Sequence, residues 1–250
     1  MSEREYMIET KNLVKYYNKG AVKAVNGIDL RVKRGEIYAF IGANGSGKST
    51  TIDMISGTLR PTEGEITVMG FNLPKQRRRL SPYIGIAPQE YSIYLDLSVW
   101  ENISFFGKLY GMSKREIKDQ GEQLMNVLKL KEKRDVVAEF LSGGMKRRLS
   151  IAVALIHQPD LILFDEATVG VDPILRAYFW DFFKKLRDEG KTILVTSHVM
   201  DEAERADRIG LMRNGKLIEE GTPSDLLSKY KVKTVEELFL LLSGDDEIDD

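Results

Sequence analysis

The chain has 250 residues, of which 37 are basic and 38 acidic, giving a formal net charge of −1, and it contains no cysteine. At roughly 150 residues per domain, that length makes one large domain or two small ones and buries enough surface to stand without staples. The balanced charge argues against a globally basic nucleic-acid binder, and the missing cysteines exclude disulfides, thiolate metal sites and a thiol nucleophile, which suits a reducing, cytoplasmic setting.

Five of the last six residues, Asp245, Asp246, Glu247, Asp249 and Asp250, are acidic, so residues 1–244 carry +4 from 37 basic and 33 acidic side chains. The acid is expected in a solvated tail. No window approaches the ~20 apolar residues of a membrane helix, and the N-terminus lacks the apolar core of a signal peptide. The two histidines, His157 and His198, are far apart in sequence, so any metal is expected on oxygen ligands.

In chain order, Met7–Val14, Ile28–Val32 and Ile37–Ile41 read as strands, broken by turn signals at Asn18-Lys19-Gly20 and Lys33-Arg34-Gly35. Residues 98–157 read as helical, and both Ser98-Val99-Trp100-Glu101 and Ser113-Lys114-Arg115-Glu116 carry the capping-box pattern that opens a helix. Leu161-Ile162-Leu163-Phe164 is apolar on both faces, as a strand between helix layers is. Asp172 and Pro173 then open a helix whose stripe of Ile174, Leu175, Tyr178, Phe179, Phe182, Phe183 and Leu186 reads as core, ending at Gly190. Thr192–Thr196 is a strand and Asp201–Ala206 a short helix. Arg208–Arg213 and Lys216–Glu220 form a hairpin on Asn214-Gly215, the preferred type I′ turn. This alternation predicts an α/β fold with a mostly parallel sheet. The stretch from Thr234 to Ser243 reads as a terminal helix.

Gly42-Ala43-Asn44-Gly45-Ser46-Gly47-Lys48-Ser49, followed by Thr50, fits the phosphate-loop pattern and lies between an apolar strand and a helix. Glycines let backbone amides converge on phosphate oxygens at a helix N-terminus, Lys48 neutralises the β- and γ-phosphates, and Ser49 offers its hydroxyl to Mg²⁺. Asp165 and Glu166 close the strand before them at the carboxyl end, where doubly wound sheets place ligands. Asp165 is the candidate metal ligand, directly or through water, and Glu166 the candidate general base.

A third signal, Leu141-Ser142-Gly143-Gly144-Met145, begins 94 residues after Lys48, counted to Ser142, and 23 before Asp165. With these spacings, residues 7–222 resemble the ATP-binding cassette (ABC) ATPases. The resemblance implies a phosphate-loop NTPase core with an N-terminal antiparallel β-subdomain and an inserted α-helical subdomain. The core with its β-subdomain would occupy 1–88 and 158–222, and the helical subdomain, with the signature, 89–157. Together these make one ATPase domain over 1–222, followed by a C-terminal helix and acidic tail over 223–250.

The resemblance also implies that two cassettes pair head-to-tail, Ser142, Gly143, Gly144 and Asp172 of one meeting the ATP held by the other. Gln89 matches the glutamine that touches Mg²⁺ or the attacking water, and His198 the switch histidine at the γ-phosphate. Tyr17 matches the aromatic stacked on adenine, with Tyr16 as the neighbouring candidate. Asp172 has an equal claim as a helix cap. Tyr91, Tyr94, Trp100, Phe105, Phe106 and Tyr110 read mainly as the helical subdomain's own core, the alternative being a patch that receives a membrane subunit. Arg77-Arg78-Arg79 reads as a solvated face.

The stretches Leu141–Pro159, Phe164–Pro173 and Thr196–Glu204 together resemble ABC-2-type exporters of the drug or antibiotic-resistance kind: an ATPase using ATP and Mg²⁺, working with a second cassette, identical or different, and a separate integral-membrane permease at the cytoplasmic face. Import is the less favoured direction, because no regulatory domain follows the cassette. The competing reading is a soluble ABC machine on DNA or ribosomes. The chain lacks the long inserted coiled coil or tandem cassettes of such proteins, so no nucleic-acid partner is expected. A GTPase or kinase of the wider phosphate-loop class would leave Ser142–Gly144 unexplained.

Overall fold

The computed structural model describes residues 5–168 and 171–243, apart from the side chain of Lys19. The predicted acidic tail lies outside these residues, as do Val169 and Gly170.

The first two strands, β1 (Tyr6–Tyr17) and β2 (Val22–Lys33), are longer than the apolar runs that announced them and are joined by a short turn at Asn18–Gly20. After β3 (Ile37–Ile41) and helix α1 (Lys48–Ile55) come β4 (Glu63–Val68) and β5 (Phe71–Leu73), which extend the first pair into an antiparallel sheet ordered β2-β1-β4-β5. The chain continues through α2 (Arg77–Leu80) and β6 (Ile84–Ala87) into α3 (Val99–Leu109), α4 (Lys114–Val127) and α5 (Gly143–Leu155). Next are β7 (Leu161–Asp165), α6 (Pro173–Asp188), β8 (Thr192–Ser197), α7 (Met200–Ala203), β9 (Arg208–Arg213) and β10 (Lys216–Gly221). Helices α8 (Pro223–Tyr230) and α9 (Val235–Ser243) end the described chain.

The second sheet is ordered β10-β9-β3-β8-β7-β6, parallel throughout except for the β9–β10 hairpin. Strands β3, β7 and β8 are buried along their whole length, the reason their sequences are apolar runs rather than alternations. The two faces of β3 serve two cores. Ile37, Ala39 and Ile41 join the helices, with Phe164, Phe179 and Phe183 around them, while Tyr38 and Phe40 join α1 and the antiparallel sheet. The Phe164 and Phe183 rings stack at 4.5 Å, and each buried aromatic of this kind contributes about 1.5–3 kcal/mol. The β9–β10 turn has positive φ at both Asn214 (49°) and Gly215 (75°), the type I′ geometry that its sequence demands.

Both capping boxes form. Ser98 N donates to Glu101 Oε2 at 2.8 Å and Ser113 N to Glu116 Oε2 at 2.7 Å. Three expectations are corrected. Ile174 is 85% exposed: it points away from the core that the next residue, Leu175, already enters, and Trp180, fully buried, takes a place in the packing that the stripe omitted. The short helix after β8 is Met200–Ala203 rather than Asp201–Ala206. Tyr91, Tyr94, Phe105 and Tyr110 are exposed, and of the six only Trp100 and Phe106 pack against the core: Tyr91 and Tyr94 lie in the loop before α3, Tyr110 ends that helix, and α3 buries Val99 and Ile103 while Phe105 faces outward. Helix α9 packs on α7 and α8 through Val235, Leu238 and Phe239. No described helix is long and apolar enough to cross a membrane.

Candidate functional site

The carboxyl ends of β3, β7 and β8 converge beside a cleft of about 690 Å³ lined by residues from Tyr17 to Asn214. The loop from Gly42 to Gly47 leads out of β3 into α1, and Gly47 caps that helix with φ 104°, a conformation closed to other residues. A Cβ there would stand 2.3 Å from the Ala24 carbonyl, so β2 of the antiparallel sheet holds the loop by direct backbone contact. Asn44, Gly45, Gly47, Lys48, Ser49 and Thr50 line the cleft.

Lys48 is 4% exposed and donates to the carbonyls of Gly42 (2.8 Å) and Ala43 (2.9 Å), bracing the loop. Burial lowers its pKa, against the opposing pull of Glu166 and Asp165. The Ser46 hydroxyl is buried with no hydrogen-bond partner among the described residues.

Asp165 and Thr196 face each other in the β7–β8 register. Asp165 Oδ1 accepts from Thr196 Oγ1 at 2.5 Å and from Ser49 Oγ at 3.1 Å. Hydroxyl, carboxylate and the amide oxygen of nearby Gln89 are the hard donors Mg²⁺ prefers, in the mixed set that leaves room for phosphate oxygens and water. Glu166 is 5% exposed, with φ 50°, a left-handed backbone unusual for its type, held by a hydrogen bond from its N–H to Thr196 Oγ1 at 2.9 Å. Its carboxylate accepts from Gln89 Nε2 at 3.1 Å and lies 3.3 Å from His198 Nδ1. Glu166, Gln89 and His198, which are widely separated in sequence, therefore meet at one carboxylate.

Tyr17 lines the cleft beside Val22, Lys23 and Ala24, while Tyr16, on the opposite face of its strand, sits under Lys23 Nζ at 5.9 Å. Ser142, Gly143 and Gly144 do not line it; they open α5, where Met145 N donates to Ser142 Oγ at 3.3 Å. Asp172 caps α6, accepting from Leu175 N at 2.9 Å.

Several residues escaped the sequence reading. Thr196 bonds to both strand-end carboxyl residues, and its one available signal was its place just before His198. Glu202 is 1% exposed and accepts from Thr168 Oγ1 (2.6 Å) and Ser197 Oγ (3.2 Å). Its other oxygen lies 3.1 Å from Arg176 Nε. One buried carboxylate thus ties the loop after Glu166, the end of β8 just before His198 and the first turn of α6.

A phosphate loop after β3, a carboxylate pair at the end of β7, two strands away across β8, and a glycine-led helix in an inserted subdomain define a nucleotide-binding cassette of the phosphate-loop class. Residues 25–169 match the family described as ABC transporter, and the chain belongs to that family. It is 40% identical over 242 residues to the linearmycin resistance ATP-binding protein LnrL of Bacillus subtilis (strain 168), covering 96% of this chain and 76% of that one. It is 41% identical over 223 residues to the Nod factor export ATP-binding protein I of Rhizobium meliloti (strain 1021), covering 89% of this chain and 66% of that one. Among solved structures, the dimeric bacterial ABC transporter cassette MJ0796 superposes with a TM-score of 0.81 at 28% identity, over 86% of this chain and 98% of that one. The chain is accordingly an ATP-binding cassette ATPase that serves transport.

Proposed function

We propose that this cassette hydrolyses ATP with Mg²⁺ in a head-to-tail pair and drives a separate membrane permease in the export direction from the cytoplasmic face. The observation that carries the reading is the junction at Glu166, where one buried carboxylate meets both Gln89 and His198 beside the phosphate loop.

In this reading the cleft takes the adenine against Tyr17 and the phosphates against residues 42–50, with Lys48 on the β- and γ-phosphates. Ser49, Asp165 and Gln89 hold Mg²⁺, which neutralises charge developing on the phosphates. Glu166 accepts a proton from the attacking water as the oxygen bonds to the γ-phosphorus and ADP departs. Gln89 and His198 fix the carboxylate in the geometry this needs, and His198 also reaches the γ-phosphate. Ser142, Gly143, Gly144 and Asp172 complete the partner's site, and ATP closes the pair while hydrolysis reopens it. Residues 1–222 act as the ATPase unit and 223–250 as an appendage. The permease is received by the exposed aromatics Tyr91, Tyr94, Phe105 and Tyr110, of which Tyr94 and Phe105 meet edge-on at 4.8 Å. The export direction follows the names of the resistance and export proteins above.

The test is light scattering of the Glu166→Gln protein, which keeps its phosphate contacts while losing the base. Adding ATP and Mg²⁺ is expected to convert monomer to dimer. A monomer with ATP bound would refute self-pairing, and failure to bind ATP would refute the nucleotide site.

A further inference from the structure

The start of α5 and the segment after β6 are joined by a side chain to which the sequence motifs assign no role. Arg147, in the second turn of α5 and 6% exposed, donates from Nη1 to the Pro88 carbonyl and from Nη2 to the Gln89 carbonyl, both at 2.7 Å. Its guanidinium lies 5.4 Å from the ring centroid of Tyr91, whose hydroxyl donates to the Gly143 carbonyl at 3.3 Å. A planar fork held by two carbonyls and an aromatic face is a stiff joint that the single ammonium of a lysine does not reproduce. A buried guanidinium left without those partners would be costly, so the joint stays closed.

The joint has a second end. Gln89, whose backbone accepts from Arg147, donates through its side chain to Glu166 at 3.1 Å. A continuous path of hydrogen bonds therefore runs from Glu166 through Gln89 and Arg147 to the helix that Ser142, Gly143 and Gly144 begin.

We propose that Arg147 is a positioning residue that couples the two half-sites of one chain, holding Ser142-Gly143-Gly144 in fixed relation to Gln89 so that the half-site offered to a partner follows the state of this chain's own Glu166. The inference rests on the paired-cassette reading above. Arg147 makes its hydrogen bonds to Pro88 and Gln89 and none to the phosphate loop, although its charge also bears on Asp165 and Glu166, so its loss is expected to act first on pairing and much less on ATP capture by the single chain.

The experiment compares Glu166→Gln with Glu166→Gln/Arg147→Met and Glu166→Gln/Arg147→Lys. Calorimetry is expected to give the same ATP affinity within about two-fold, while light scattering gives an ATP-dependent dimer weakened on the order of ten-fold or more in the Met variant, as the loss of two charge-assisted hydrogen bonds implies. The Lys variant, reaching one carbonyl, recovers part of the loss. Equal dimerisation of all three proteins overturns the proposal, and so does an ATP affinity that falls as far as dimerisation does, since that is general damage.

If Glu166→Gln itself stays monomeric, self-pairing has failed and hydrogen exchange on the monomer decides the coupling. ATP is then expected to change amide protection at both 88–91 and 142–146 with Arg147 present, but only at 88–91 in the Met variant. The same response at both segments in both proteins overturns it.

Discussion

Replacing Glu202 by Gln tests whether the buried carboxylate behind the site holds its loops together. Thr168 and Ser197 hydroxyls converge on Oε2, and Arg176 Nε lies 3.1 Å from Oε1, an ion pair without hydrogen-bond alignment. A glutamine that keeps its carbonyl toward the hydroxyls must turn its NH₂ toward the guanidinium, setting donor against donor. Breaking a fully buried ion pair costs about 3–5 kcal/mol, and because the Arg176 side chain is 26% exposed, water relieves part of that, leaving about 2–3 kcal/mol. For a chain of this size that lowers Tm by about 5–10 °C. Thermal melts of Glu202→Gln, Arg176→Met and the double variant close a cycle whose coupling should be about 1–3 kcal/mol. A drop under about 2 °C, or a coupling of zero, would show that the pair is screened and that other contacts hold these loops.

Two further predictions concern single rings. His157 donates from Nε2 to the Ile84 carbonyl at 3.1 Å and stacks on Tyr110 at 3.6 Å, and burial brings its pKa from 6.5 down to about 4. Above pH 6.5 it is neutral folded or unfolded. Between 6.5 and about 4 the unfolded chain binds the extra proton, so stability falls as pH drops through that window, by on the order of 2–3 kcal/mol for this group. His157→Phe should flatten that limb in urea titrations at pH 7, 6, 5 and 4, and an unchanged slope would dismiss the burial argument. Tyr17→Ala should weaken ATP binding about three- to ten-fold by calorimetry, the worth of one stacked ring, and an unchanged affinity would remove Tyr17 from the adenine site.

The phosphate loop, the capping boxes and the hairpin were legible because each is a local rule, in which glycine, a hydroxyl or Asn-Gly is needed at a fixed offset whatever surrounds it. Ile174 and the aromatics Tyr91, Tyr94, Phe105 and Tyr110 misled because an apolar residue type or stripe does not say whether anything covers it. Thr196, Thr168, Glu202, Arg176 and Arg147 were invisible for a different reason. Each is an ordinary polar residue that acquires a role only when strand order sets β7 beside β8 and α5 against the end of β6. The Asp165–Thr196 register pair is the clearest case, since the two residues lie on strands joined by a whole helix.

The turn at Asn214-Gly215 also governs when the site can come into being. Gly215 N donates to the Ser46 carbonyl at 3.1 Å, its own carbonyl accepts from Asn26 N at 2.7 Å, and a Cβ on it would stand 2.8 Å from the Lys23 carbonyl. The strand that carries the phosphate loop has β8 and β9 as its two neighbours. The phosphate loop is therefore shaped by a turn synthesised long after it. A chain emerging from the ribosome carries residues 42–50 for most of its synthesis without the strands that flank them or the turn that props them, so ATP is not expected to template its early folding. Competence for nucleotide arrives in one late step, once residue 215 is free to reach back.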